Sequence, residues 1–173
     1  MHSNSEQAQQ AGAQKQPSTA GPSLKARALR LLAGRDYGRV ELERKLKPYA
    51  DSEQALQIVL DDLQAKGFIS EERAAASVLN RRASNLGAAR VLGELRQKGF
   101  AAELIAAQAD ILRETEEIRI KLVWKKKFLA PPENPAVQMK QMRFLAARGF
   151  SSAQISKLMR RLGKDDDMEG DTA

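Results

Sequence analysis

Leu63-Gln-Ala-Lys-Gly67-Phe68, Leu95-Arg-Gln-Lys-Gly99-Phe100 and Leu145-Ala-Ala-Arg-Gly149-Phe150 are one phrase written three times, Leu-x-x-(Lys/Arg)-Gly-Phe. Its physics is that of a helix ending. The Leu faces the core in the last turn, and the cation meets the negative end of the helix dipole. Gly takes the left-handed position that a Cβ would oppose, and Phe packs back on the helix it has left. Three such stops in a short chain point to a repeated helical unit.

The helices are read outward from these stops. Ser23 caps a first helix that places Leu24, Ala28, Leu31 and Leu32 on one face, with Gly34 at its end. Arg35-Asp36-Tyr37-Gly38-Arg39 is then a turn, with Tyr37 expected on its exposed side. A short helix with Val40, Leu42 and Leu46 closes at Pro48, and Asp51 with Gln54 opens the next by a capping-box variant. Ser70 starts another group, followed by helices bearing Val91 and Leu95, then Leu104, Ile105 and Ile111. A third group opens near Glu114–Glu117 and is broken by the loop Ala130–Pro135. It resumes at Asn134-Pro135, where a cap precedes proline at the first helical position, and ends with a helix from Ser151/Ser152 to Gly163.

Leu46, Leu95 and Leu145 stand at equivalent places, so the period is about 50 residues, as in helical repeat arrays. The reading is all-α: nine helices in three tandem three-helix repeats forming an elongated, curved array. Repeat 1 covers 24–69, repeat 2 covers 70–113 and repeat 3 covers 114–163. Residues 1–23 hold almost no large apolar side chains, and 164–173 are acidic, so both are expected to be disordered tails.

The composition excludes several functions. Cysteine is absent and the one histidine is His2, which leaves no thiol chemistry and no histidine-based acid–base site. No phosphate-cradling Gly-Lys-Ser/Thr loop occurs, and the carboxylate pairs Glu71-Glu72 and Glu116-Glu117 sit near helix starts, where they suit the dipole. No enzyme, cofactor or metal is expected. No apolar run approaches the ~20 residues that cross a bilayer, and no secretory signal is visible at the start, so a cytoplasmic protein is expected; a monomer is expected as well.

The net charge of +7 conceals an uneven distribution: residues 24–162 carry 27 cations against 16 anions, or +11. Such a field favours nucleic acid or an acidic protein surface. The candidate contacts are Arg35, Tyr37 and Arg39 in the first turn, and Arg81, Arg82, Arg90, Arg96 and Lys98 in the middle repeat. Lys157, Arg160 and Arg161 on the last helix complete the set. Lys125, Lys126 and Lys127 end a helix and suit its dipole; Trp124, at helical spacing from Leu122 and Phe128, reads as core.

The block Leu31-Leu-Ala-Gly-Arg-Asp-Tyr-Gly-Arg-Val-Glu-Leu42, the stretch Leu92-Gly-Glu-Leu-Arg-Gln-Lys-Gly99 and the ~50-residue units resemble the RecX regulatory proteins over about residues 24–162. The chain departs from that pattern at Lys47-Pro48-Tyr49, at Ile69-Ser-Glu-Glu72 and in the proline-rich loop. The resemblance implies a non-enzymatic regulator that lodges in the groove of the RecA recombinase filament on DNA and spans neighbouring subunits. It would restrain ATP hydrolysis, strand exchange and coprotease activity, and so modulate DNA repair, recombination and the SOS response. The alternative is a stand-alone nucleic-acid-binding helical repeat protein.

Overall fold

The structure is a computed structural model in which residues 21–169 are described, with side chains through Gly163. Among the described residues the chain is all-α, with helices α1 (Leu24–Gly34), α2 (Arg39–Leu46), α3 (Glu53–Ala65), α4 (Glu71–Arg82), α5 (Ala88–Gln97), α6 (Ala102–Lys127), α7 (Pro135–Ala147) and α8 (Ser152–Glu169). A 3-10 turn, Lys47–Tyr49, follows α2, with Pro48 supplying a fixed φ where the α-helix stops. The starts follow local chemistry. The hydroxyls of Ser23, Ser52 and Ser70 and the Asn134 side chain accept from backbone N–H groups of the first turns of α1, α3, α4 and α7.

The three phrase glycines alone have positive φ among the described residues, at 73° for Gly67, 82° for Gly99 and 83° for Gly149. In each copy the Phe N–H donates to the Leu carbonyl, at 2.9 Å for Phe68 and 3.3 Å for Phe100 and Phe150. The repeated phrase is thus a Schellman stop that satisfies the last carbonyls of α3, α5 and α7. Its Phe does not always pack inward. Phe100 and Phe150 are buried, but Phe68 is 48% exposed and Ile69 fills the core in its place.

Three apolar cores follow one another along an elongated, curved array. Leu42, Leu46, Leu56, Leu60 and Leu63 dominate the first, Val78, Val91, Leu95 and Phe100 the second, and Ile120, Trp124, Leu145 and Leu158 the third. Helix α6 serves two of them, with Ile105 and Leu112 in the second and Ile120, Val123 and Trp124 in the third. Nine separate helices were expected; among the described residues eight are present, because the last helix of the second group and the first of the third are one. No Gly or Pro interrupts 102–127, so nothing ends the helix there.

Three further readings are corrected. The cap of α3 is Ser52 and not Asp51. Tyr37, expected in an exposed turn, is 8% exposed and belongs to the first core, covered by the Arg35 guanidinium 3.6 Å from its ring centre. Gly163 does not end α8, which runs on to Glu169. Residues 164–169, assigned to a disordered acidic tail, are therefore helical in backbone. The disorder expected of 1–20 and of 170–173 falls outside the described residues.

Neighbouring groups meet by one recurring joint. The glycine that opens the second helix of one group sits against the Gly-Phe stop of the next. A Cβ on Gly38 would lie 3.1 Å from the Phe100 ring, and one on Gly99 would lie 2.7 Å from Val40 Cγ1. At the following joint a Cβ on Gly87 would be 2.2 Å from the Gly149 carbonyl. There the Gly87 and Ala89 N–H groups donate to the carbonyls of Arg148 (2.8 Å) and Gly149 (3.2 Å). The tail of α7 thus caps the head of α5.

Candidate functional site

The first joint is locked by ions. Glu41 on α2 is buried and accepts from Arg35 at 2.6 and 3.2 Å and from Lys98 on α5 at 2.7 Å. Burial by itself pushes the Glu41 carboxyl up, but the hydrogen bonds from Arg35 and Lys98 more than offset this and hold it below the ordinary glutamate value. The Arg35 guanidinium is correspondingly raised, chiefly by its bond to Glu41. Alongside, the Glu71 carboxylate accepts from the Arg39 N–H at 2.6 Å, capping α2 from the neighbouring group.

Over this joint opens a groove of about 730 Å³, lined by Arg44, Arg82, Leu86, Arg90, Gly93, Glu94, Gln97 and Lys98. Helix α5 supplies its floor: Val91 and Leu95 bury one face, which turns Arg90, Glu94 and Gln97 outward. Arg82 enters from the end of α4 and Arg44 from the last turn of α2. Four cations therefore surround one carboxylate. Glu94 holds Arg82 at 2.8 Å and lies 3.8 Å from Lys98, whose nearer partner is Glu41. Arg44 and Arg90 are exposed and form no ion pair among the described residues. The stem of Arg90 is packed against the second joint, since a Cβ on Gly149 would stand 2.7 Å from its Cγ. Its guanidinium is therefore held above the groove by a short lever. The groove contains no nucleophile with a base beside it, so its chemistry is binding: guanidinium forks for phosphate or carboxylate.

The candidate residues from the sequence separate into three groups. Arg82, Arg90 and Lys98 come together in the groove. Tyr37 is absorbed into the first core with Arg35 half-buried over its ring, and Arg39 lies along α3, paired with Asp61 at 2.7 Å and hydrogen-bonded to Gln57 and Gln64. The remaining residues lie elsewhere. Arg81 is exposed and donates to the Ser77 carbonyl, and Arg96 lines a separate, largely apolar groove with Leu92, Phe100 and Ile105. Lys157 and Arg161 both hold Glu117, while Arg160 is exposed.

Arg44 was missed. Glu43-Arg44-Lys45 reads as an ordinary solvated face, and the usable signal was positional: Arg44 precedes Gly93 by 49 residues, one repeat, and both line the groove. Tyr49 was also passed over. It is an exposed ring beneath the Arg27 guanidinium, at 4.3 Å, in a smaller basic cleft with Arg30 and Lys45.

Comparisons with known proteins agree on one family. The family model described as RecX, third three-helix domain, matches residues 115–159. The regulatory protein RecX of Leptothrix cholodnii is 46% identical over 138 residues, covering 80% of this chain and 88% of that protein. RecX of Ralstonia pickettii is 40% identical over 137 residues, covering 79% and 86%. The crystal structure of RecX from Lactobacillus salivarius superposes with a TM-score of 0.67 at 22% identity, over 81% of this chain and 94% of that one, and shows the same fold. With relatives 46% and 40% identical over about four fifths of its length, this chain belongs to the RecX family of regulatory proteins.

Proposed function

We propose that the chain binds the RecA recombinase filament on DNA and restrains its ATP hydrolysis, strand exchange and coprotease activity, as a regulator of DNA repair and recombination in the cytoplasm. The observation that carries this reading is the 46% identity to a RecX regulatory protein across 80% of the chain. The basic groove supports it, because unpaired Arg44 and Arg90 suit a surface of phosphates and carboxylates. Repetition supports it as well. Tandem units joined by rigid joints can touch several filament subunits at once, and weak contacts then add through effective concentration. Among the described residues no helix is long and apolar enough to cross a membrane.

The test is to titrate the protein into recombinase filaments on single-stranded DNA and follow ATP hydrolysis, with DNA alone as a parallel arm. Falling hydrolysis at protein concentrations that do not coat bare DNA supports the proposal. Hydrolysis that falls only as the DNA becomes coated favours a stand-alone nucleic-acid binder, the reading that two unpaired arginines over one groove would also serve. That binder shows a steep loss of affinity with salt.

A further inference from the structure

The outer face of α6 carries an apolar stripe that no part of the described structure covers. Ile111, Ile118 and Leu122 are 50%, 64% and 60% exposed. At about 100° per residue, Ile118 and Leu122 stand roughly 20° to either side of Ile111, so the three form one line along the helix.

The charges beside the stripe identify its occupant. Asp110, Glu114, Lys121 and Lys125 are all exposed and all lie on one flank, about 40–100° round from the stripe. The acids come first along the helix and the bases later. Asp110 with Lys125, and Glu114 with Lys121, are both centred midway between Glu117 and Ile118. Two antiparallel helices related by a two-fold axis bring the same flanks together. A copy of α6 laid antiparallel about that centre would therefore set Glu114 opposite the second copy's Lys121 and Asp110 opposite its Lys125, each pair occurring twice. Ile118 would meet its own counterpart on the axis, and Ile111 would fall beside the second copy's Leu122. Glu117, nearest the centre on that flank, is already neutralised by Lys157 and Arg161.

We propose that the α6 stripe is the docking face for a second copy of this chain, in an antiparallel two-fold pair centred between Glu117 and Ile118. Three apolar residues form a small contact, so the association is weak and depends on concentration. It replaces the monomer expected from the sequence, and it stands independently of any recombinase.

Sedimentation equilibrium of the full chain over about 1–200 μM tests it. The parent's apparent mass rises toward that of a dimer, and Ile118→Arg abolishes the rise. Glu114→Lys and Lys121→Glu each create two like-charge contacts and weaken association by about tenfold. Mixing those two variants restores it, because every Glu114–Lys121 contact in the mixed pair is again between opposite charges. Circular dichroism establishes that each exposed-site variant is folded. A parent that stays monomeric across the range, or a mixture no more associated than its components, overturns the proposal. So does an Ile118→Arg variant that still associates. A monomeric parent whose Ile118→Arg variant no longer inhibits the recombinase assigns the stripe to the filament instead, which also overturns it.

Discussion

Replacing Gly87 with Ala tests the joint between the second and third groups directly. Gly87 has φ −75° and ψ 167°, a conformation any residue adopts, so alanine suffers no backbone strain there. What it meets is main chain. The added Cβ would lie 2.2 Å from Gly149 C, Gly149 O and Phe150 N, none of which is the end of a flexible side chain. Separating the two strands of backbone far enough to admit a methyl costs about 1–3 kcal/mol as overpacking. It also stretches the Gly87–Arg148 and Ala89–Gly149 hydrogen bonds, each contributing about 0.5–1.5 kcal/mol. The lower entropy of unfolded alanine returns about 0.4–1 kcal/mol. The net loss is about 2–4 kcal/mol, or roughly 4–16 °C in melting temperature for a chain of this size. Gly93→Ala is the matched control: it lies inside α5 with nothing within 4 Å of its Cβ, so alanine should stabilise by about 0.5–1 kcal/mol. The assay is urea unfolding followed by circular dichroism, with amide exchange at Ala89 reporting the joint itself. A Gly87→Ala variant that unfolds with the parent and keeps the Ala89 amide protected would refute the interlock.

Glu41→Gln tests the ion lock through pH. A carboxyl held below its unfolded pKa gives stability that is complete above the ordinary glutamate value, about 4.3, and is lost as pH falls through the lower folded value. The variant should be less stable than the parent at neutral pH and should lose less on acidification through that window; equal pH slopes in urea midpoints would count against the lock. Arg119, buried in α6, donates to the carbonyls of Ala83 (3.3 Å), Leu86 (2.6 Å) and Leu112 (2.8 Å). Arg119→Met strands these acceptors and should cost about 2–4 kcal/mol by denaturant unfolding, so a loss below about 1 kcal/mol refutes its role as a tie between groups. In the groove, Arg44→Glu with Arg90→Glu should abolish recombinase inhibition while helicity is kept, and Arg96→Glu should leave inhibition close to parental. The reverse ranking in an ATP hydrolysis assay would move the contact to the apolar groove beside Arg96.

The helix stops were legible because their cause is local. A residue at positive φ with a Schellman bond behind it calls for glycine, and among the described residues the three phrase glycines are the positions with that φ. The continuity of α6 was legible too, in the absence of any breaker between 102 and 127, but counting helices in threes overrode it. The division between Arg90 and Arg96 could also have been read, since six residues on a helix turn a side chain about 120° away. The fate of Arg35 and Tyr37 could not. Whether a turn arginine faces solvent or stacks on a buried ring and pairs with Glu41 depends on where α5 delivers Lys98, a contact 57 residues away in sequence. Phe68 differs from Phe100 and Phe150 for a similar reason. The latter two follow the second helix of a group, where the joint with the preceding group covers them, whereas Phe68 follows a third helix.

The joint has a bearing on how such a chain can change length. It needs a glycine at the head of one second helix and a Gly-Phe stop at the tail of the next. The first group carries the head, Gly38, but ends its second helix at Lys47-Pro48-Tyr49; the third carries the tail, Gly149-Phe150, but opens its second helix with Asn134-Pro135. Only the middle group has both, in Gly87 and Gly99-Phe100. It is therefore the interchangeable link. An in-frame duplication of about 50 residues from the middle would supply a matched pair at the one new boundary and leave the two old ones intact, and its deletion would bring Gly38 to face Gly149. Reach along a partner is then set by how many times one link is copied, with the terminal groups left as they are.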